Sequence, residues 1–219
     1  MNNNYIRCEM HCHTFKSACA GLKFKTIIRE CKKKQIQAIA ITDHNDITGA
    51  LEFAELAPPE LTVIIGEEIK SKHGEVIGLF IKENIQPNLS LRETMERIKM
   101  QGGLVNIPHP FDGLRKNAVD IDELEKNVDL IDMLEVFNSR ICFNRANRVA
   151  IRFASRFGIL PVCGSDAHFG IEIGKSILSI APFTGATDFK KNLNSAVIQG
   201  TKSPVFVHLL SKYRKIISR

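Results

Sequence analysis

The sequence predicts an α/β fold in a single domain, with a mainly parallel sheet closed or nearly closed into a barrel. Three observations predict it. Short apolar runs rich in Val and Ile, of the kind that form buried parallel strands, alternate with amphipathic helical segments. Most of these runs lead straight into a histidine or acid cluster: 36–41 into Thr42-Asp43-His44, 61–65 into Gly66-Glu67-Glu68, 104–107 into Pro108-His109-Pro110, and 159–163 into Gly164-Ser165-Asp166-Ala167-His168. The pairs His11/His13 and Asp166/His168 are two residues apart, so extended backbone points each pair to one side, whereas a helix would splay them. Ligands gathered at strand carboxyl ends stand where barrel and open α/β folds keep their sites.

The helices between the strands follow from periodicity. Phe24, Ile27, Ile28 and Cys31 fall at i, i+3, i+4 and i+7. Leu91, Met95 and Ile98 mark a second helix, stopped by Gly102-Gly103 before the next strand. A further strand over 131–137 carries Glu135 and ends at Asn138, and Ala146, Val149, Ala150, Phe153, Ala154 and Phe157 hold helical spacing over three turns after it. The segment 205–217 is amphipathic, with Leu209, Leu210, Tyr213, Ile216 and Ile217 set against Lys212, Arg214, Lys215 and Arg219. A basic amphipathic end can lie on a membrane. A closing helix packed on the barrel is the expectation here.

At 219 residues the chain fits one domain with a substantial core. Its start lacks a signal peptide's apolar stretch and no apolar run is long enough to span a bilayer, so a cytoplasmic location without membrane insertion is expected. Six cysteines include no C-x-x-C pair, which favours reduced structural thiols. The net charge of +6 suits anionic substrates and equally suits solvated helix faces.

Six of the seven histidines lie in short clusters with acids: His11 with His13, His44 beside Asp43, His73 near Glu67, Glu68 and Glu75, His109, and His168 beside Asp166. Imidazole with carboxylate is the ligand set of a hydrolytic metal centre. Five strand ends carrying ionisable groups would be costly to desolvate unless paired or bound to a cation. His208, in the final amphipathic segment, has no such company and reads as structural. There is no G-x-S-x-G elbow and no C-x5-R loop, which argues against a covalent serine or cysteine mechanism.

Taken in order, Glu-Met-His-Cys-His-Thr, Ile-Thr-Asp-His-Asn, Gly-Glu-Glu-Ile, Ile-Pro-His-Pro-Phe-Asp and Gly-Ser-Asp-Ala-His resemble the motifs of the polymerase and histidinol phosphatase (PHP) family, over about residues 9 to 168. Glu-Val-Phe-Asn, at 135–138, and the helix that follows it resemble its metal-dependent phosphoesterase branch. The resemblance implies a distorted (β/α)7 barrel holding two to three divalent ions, of manganese, zinc or iron. It implies His11, His13, Glu68 and Asp166 at the first ion, Glu68 bridging to a second that also takes His109, and His44 with His168 at the third. The second ion's remaining ligand is Glu75 by preference, with His73 as competitor. Five residues after His13, where many members have an aspartate ligand, this chain has Ala18, which thins the third site.

Cys12 alternates away from the histidines and reads as core, and Cys19 as an inert thiol beside the missing aspartate. Asp43 can orient His44 from outside the ligand set, Glu135 and Asn138 can line the pocket, and Arg140 and Lys175 are candidate phosphate contacts. The resulting expectation is a hydrolase of phosphate esters, of a nucleotide, an oligonucleotide or a small phosphomonoester. A hydroxide bridging the ions would attack phosphorus, and His44 or His168, if not holding a third ion, would protonate the departing oxygen. The alternatives are a histidinol-phosphate, sugar-phosphate or phosphotyrosine phosphatase, and a non-catalytic metal-stabilised binding module. Oligomeric state has no signal in the sequence.

Overall fold

β1 (Ile6–Cys12) is buried over its last five residues and sits between two kinds of neighbour. On one side it pairs parallel with β2 (Ala38–Ile41), and on the other antiparallel with β8 (Ser176–Ile180). The computed structural model describes residues 5–115 and 117–217. Its sheet runs in the order β7-β6-β5-β4-β3-β2-β1-β8-β9, where β3 is Thr62–Ser71, β4 Gly74–Leu79, β5 Leu104–Ile107, β6 Met133–Asn138, β7 Leu160–Gly164 and β9 Val197–Gly200. The end of β7 returns to β1 through a bridge between Cys12 and Ala167, with His13 N donating to Ala167 O at 2.9 Å and Ala167 N to His11 O at 3.1 Å. β1 to β7 therefore form a nearly closed barrel, and β8 and β9 extend the sheet outside it.

The sheet is more mixed than a strict βα alternation gives. β3 and β4 form an antiparallel hairpin, and β4 is also antiparallel to β5. Only Lys72 and His73 connect the hairpin, which is too short for a parallel crossover. Cys8, Met10, Ala38, Ala40, Ile64, Ile77, Leu104 and Met133 fill one core cluster, small and large side chains together. Two further clusters lie under the helices.

Seven α-helices surround the sheet among the described residues: α1 (Phe24–Lys34), α2 (Thr48–Leu56), α3 (Leu91–Met100), α4 (Ile121–Lys126), α5 (Asn144–Phe157), α6 (Ala186–Asn192) and α7 (Phe206–Ile217). α3 starts in a capping box between Ser90 and Glu93 and is followed by Gly102 at φ +76°, which turns the chain into β5. α7 packs on the barrel through Val207 and Ser211. Its rotation differs from the expected one. Leu209, Tyr213 and Ile216 are 67%, 62% and 72% exposed, because Arg140 donates to Ser211 Oγ at 2.7 Å and to Val207 O at 3.3 Å and so fixes a polar stripe inward. Arg219, expected on the outer face, lies outside the described residues.

A fully buried carboxylate joins β1 to the segments that complete the ring. Glu9 accepts the backbone N–H of His11 (3.3 Å), Ser165 (3.1 Å) and Gly174 (2.8 Å), and burial pushes its pKa up to about 7. Replacing Glu9 with Gln turns one acceptor into a donor facing an N–H. The variant should lose roughly 1–3 kcal/mol, measured by urea or thermal unfolding. The folded state holds the Glu9 proton above the ordinary value of 4.5, so that stabilisation is complete below 4.5 and declines as pH rises through about 7. The advantage of wild type over Glu9→Gln should therefore narrow with rising pH, and equal stability at all pH values would contradict this account.

Candidate metal centre

Each cluster singled out in the sequence, apart from His73, arrives at the carboxyl end of the barrel. His11 and His13 come from the end of β1, His44 follows β2 and bridges to Glu68 on β3, Glu75 stands on β4, His109 follows β5, and Asp166 and His168 follow β7. His109 and Asp166 have φ of 32° and 54°, a conformation costly for non-glycine residues and concentrated at functional sites. The kinks turn both side chains back over the barrel.

Glu68 is the meeting point. Its Oε1 lies 3.0 Å from His109 Nε2, and its Oε2 lies 3.0 Å from His44 Nδ1, 3.3 Å from His13 Nε2 and 3.6 Å from His11 Nε2. Asp166 Oδ1 stands 3.4 Å from His13 Nε2 and 3.7 Å from His11 Nε2, and Glu75 Oε2 stands 3.8 Å from His109 Nε2. The ring nitrogens His11 Nε2 and His13 Nε2 face each other at 3.0 Å. Four three-residue groups with converging donor atoms result: His11/Glu68/His109, His11/His13/Asp166, His44/Glu68/Glu75 and His13/His44/His168.

The electrostatics match a cation-binding cluster. Burial raises the Glu68 pKa, but His11 and His44 outweigh it and hold the carboxyl well below its usual range. Asp166 is likewise lowered against burial by Arg115 and His11. Burial and the neighbouring Glu68 push Glu75 up. Burial and His44 bring His13 down to about 4, and burial and His13 lower His168, so both rings are neutral and free to ligate. Glu68 Oε2, Asp166 Oδ1 and His109 Nδ1 are buried without a hydrogen-bond partner, a costly state that bound cations relieve at the two carboxylates.

A ring of outer partners aims these side chains. Glu135 Oε1 takes His11 Nδ1 at 2.8 Å, which leaves His11 Nε2 for the centre, while its Oε2 accepts from His109 N (2.9 Å) and Asn138 Nδ2 (2.8 Å). Asp43 does not point at the cluster. It accepts from Thr14 N, Thr14 Oγ1 and Ser17 Oγ, and Ser17 Oγ accepts from His44 N at 3.1 Å. Gly164 leaves room for this arrangement, since a Cβ there would fall 2.1 Å from Glu135 Oε1.

Several expectations land elsewhere. His73 sits in the β3–β4 turn, where its carbonyl accepts from Asp120 N, while Glu75 points inward and receives Asn117 Nδ2 at 3.0 Å. Arg140 is not placed as a phosphate contact: it is 5% exposed, bonded through Nε to Glu172 Oε1 (2.9 Å) and through Nη2 to α7. Lys175, between Gly174 and β8, makes no side-chain hydrogen bond or ion pair among the described residues. Ala18 is exposed on its turn, and it is Ser17 and Cys19 that reach Asp43 and His44. His208 lies 3.8 Å from Cys142 Sγ.

Arg115 and Glu172, outside every cluster in the sequence, also reach the site. Arg115 donates to Asp166 Oδ2 and lies 3.3 Å from Asp112, and Glu172 Oε2 accepts from His168 N at 3.1 Å. Glu172 stands four residues after His168, a spacing that a turn closing on itself would have suggested. Arg115 acts across 51 residues of chain and left no local signal.

A barrel with a buried His and carboxylate cluster at its carboxyl mouth has donor groups suited to divalent-metal binding. The chain belongs to the PHP domain family, whose pattern matches residues 9–149, and a PHP-associated region matches 144–196. One uncharacterized protein of Methanocaldococcus jannaschii is 37% identical over 179 residues, covering 80% of this chain and 71% of that protein. A second from the same organism is 38% identical over 158 residues, covering 67% and 90%. Among solved structures, a two-domain Bacteroides vulgatus protein, described as containing a predicted PHP-like metal-dependent phosphoesterase, superimposes with a TM-score of 0.71 at 15% identity, covering 97% of this chain and 71% of that one. This last likeness shows the shared fold.

If Glu135 fixes His11 and His109, Glu135→Ala should weaken divalent-metal affinity about 10–100-fold with the fold intact, as other outer-partner losses do. Gly164→Ala should do the same by displacing Glu135. Competition with a fluorescent chelator reads both, and wild-type affinity in both variants would show that the outer ring does not set the site.

Proposed function

We propose that this protein is a divalent-metal-dependent hydrolase of phosphate esters. The observation that carries the reading is the Glu68 carboxylate, with four imidazoles within 3.6 Å of its two oxygens and two three-residue donor groups sharing it. A carboxylate so placed could serve two cations, one through each neighbouring donor group. Mixed nitrogen and oxygen donors suit manganese, zinc or iron, and His11, His13, His109, Asp166, Glu68 and Glu75 suffice for two ions. His13, His44 and His168 offer a third position built of nitrogen alone.

Divalent ions supply charge neutralisation for a transferring phosphoryl group and activation of water near neutral pH. The chain's own part is to bind and orient. Of the two histidines considered as acid, His44 is the better placed, with a side chain 31% exposed at the mouth and Nδ1 turned to Glu68. Burial works against its charge, but Glu68 outweighs it and raises the pKa, which suits His44 to give a proton to the departing oxygen where it holds no third ion. His168 is buried, with Nδ1 held by Asp166 O at 2.9 Å. A cleft of about 430 Å³ is lined by Phe111, Asp112, Leu114, Phe143, Arg145 and Val149, and its Asp112 lies 3.3 Å from Arg115, whose guanidinium reaches Asp166. That volume fits a small phosphate ester with an apolar portion, and Arg115, close to both the cleft and Asp166, replaces the buried Arg140 as our candidate phosphate contact.

Metal-loaded protein should hydrolyse members of a panel of phosphomonoesters and diesters. Glu68→Gln should lower turnover by at least about 10³-fold by unsettling both ions, while a chelator abolishes wild-type activity and lowers Tm. Turnover in Glu68→Gln equal to wild type would exclude the shared carboxylate. Failure of the loaded wild type on every ester would leave a metal-binding module instead of an enzyme.

A further inference from the structure

Helix α7 is amphipathic the wrong way round for a helix that only closes a barrel. At about 100° per residue, Phe206, Leu209, Leu210, Tyr213, Ile216 and Ile217 share one broad arc, and all six are exposed. The face against the barrel is narrow and partly polar, made of Val207 and Ser211, with Arg140 bonded to the latter. Lys212 borders the exposed arc, Lys215 is exposed further round toward Ser211, and the half-buried Arg214 turns its Nε to the barrel beside Gly21. After Asp188 the sequence contains seven Lys or Arg and no Asp or Glu, although the whole chain carries a net charge of only +6. The positive surplus of the protein is thus concentrated in the segment that also presents its exposed apolar helix.

We propose that α7 docks the protein peripherally on an anionic lipid surface, with its apolar arc at the boundary between headgroups and acyl chains and its lysines on lipid phosphates. Three observations select this occupant. Apolar side chains including Phe and Tyr, flanked by Lys and Arg, are the composition of helices that lie in the plane of a bilayer interface. A second copy of the chain would bring two acid-free basic helices together, with no opposite charge to pair them. The area also argues against a second copy. A twelve-residue helix is about 18 Å long, and one face of it falls well short of the ~800 Å² per partner in a stable interface. The contact is peripheral, since no helix among the described residues is long and apolar enough to cross a membrane. It uses only the outward face of α7, so Val207, Ser211 and the Arg140 bonds stay in place.

The test is sedimentation of the full chain with vesicles of equal parts phosphatidylglycerol and phosphatidylcholine, beside vesicles of phosphatidylcholine alone. Light scattering reads the oligomeric state of the same preparations. Wild type should bind the anionic vesicles, weaken with added salt, and bind neutral vesicles roughly tenfold less or worse. Leu209→Ser with Ile216→Ser should abolish binding, and Lys212→Glu with Lys215→Glu should reduce it roughly tenfold or more. Circular dichroism, metal content and basal turnover should stay unchanged in these variants, because none of the four residues touches the centre. Absence of vesicle binding by wild type overturns the proposal. If that absence comes with a dimer lost in Leu209→Ser/Ile216→Ser, a second copy covers the face. If it comes with a monomer that instead binds an acidic polypeptide such as polyglutamate, the partner is an acidic protein.

Discussion

The cost of burying charge governs this molecule. Glu68 and Asp166 are almost fully buried yet held below the usual carboxylate range, which is possible only because imidazoles and a guanidinium converge on them. The barrel makes that convergence affordable by delivering the groups from several strand ends, none of which carries more than two of them. Even so, Glu68 Oε2 and Asp166 Oδ1 remain without hydrogen-bond partners. A polar atom left this way in a dry interior calls for a cation, and the surrounding donors are those that bind one.

Behind the converging groups lies a second set of buried acids that bind backbone and ring N–H groups. Glu9 holds the backbone of His11 and Ser165, Glu135 holds His11 and His109, Asp43 holds the turn at Thr14 and Ser17, and Glu172 holds His168 and Phe169. Each fixes a ligand or a residue beside one. Side-chain position in the centre is thus set from outside it, through bonds with little freedom to move. Arg140 extends the set to α7 by joining Glu172 to Ser211 and Val207 O, so the last helix and the His168 loop share one buried ion pair.

The strand ends were legible because parallel strands read as apolar runs and because two-residue spacing has only one geometric meaning on extended backbone. Preferring Glu68 to Glu67 rested on the family resemblance instead; in the structure the pleat sends Glu67 to the opposite face, where its Oε2 accepts from Ile85 N at 3.0 Å. His73 and Glu75 are two apart, which on one continuous strand would set both on one face, but Lys72 and His73 form the turn between β3 and β4 and alternation fails across it. The rotation of α7 was misread because amphipathicity says that a helix has two faces and not which one meets the protein. Arg140 and Ser211, 71 residues apart, decide it. Arg115 was invisible for a similar reason, since its partner Asp166 is distant in sequence.

The central claim is that Glu68 is the shared ligand of a polynuclear centre. Anomalous scattering at the manganese edge, from crystals grown with manganese, tests it directly by locating the ions themselves. The account predicts at least two peaks flanking the Glu68 carboxylate, one toward His109 and Glu75 and one toward His11, His13 and Asp166. A single peak remote from Glu68, or no peak within bonding distance of its oxygens, would contradict it.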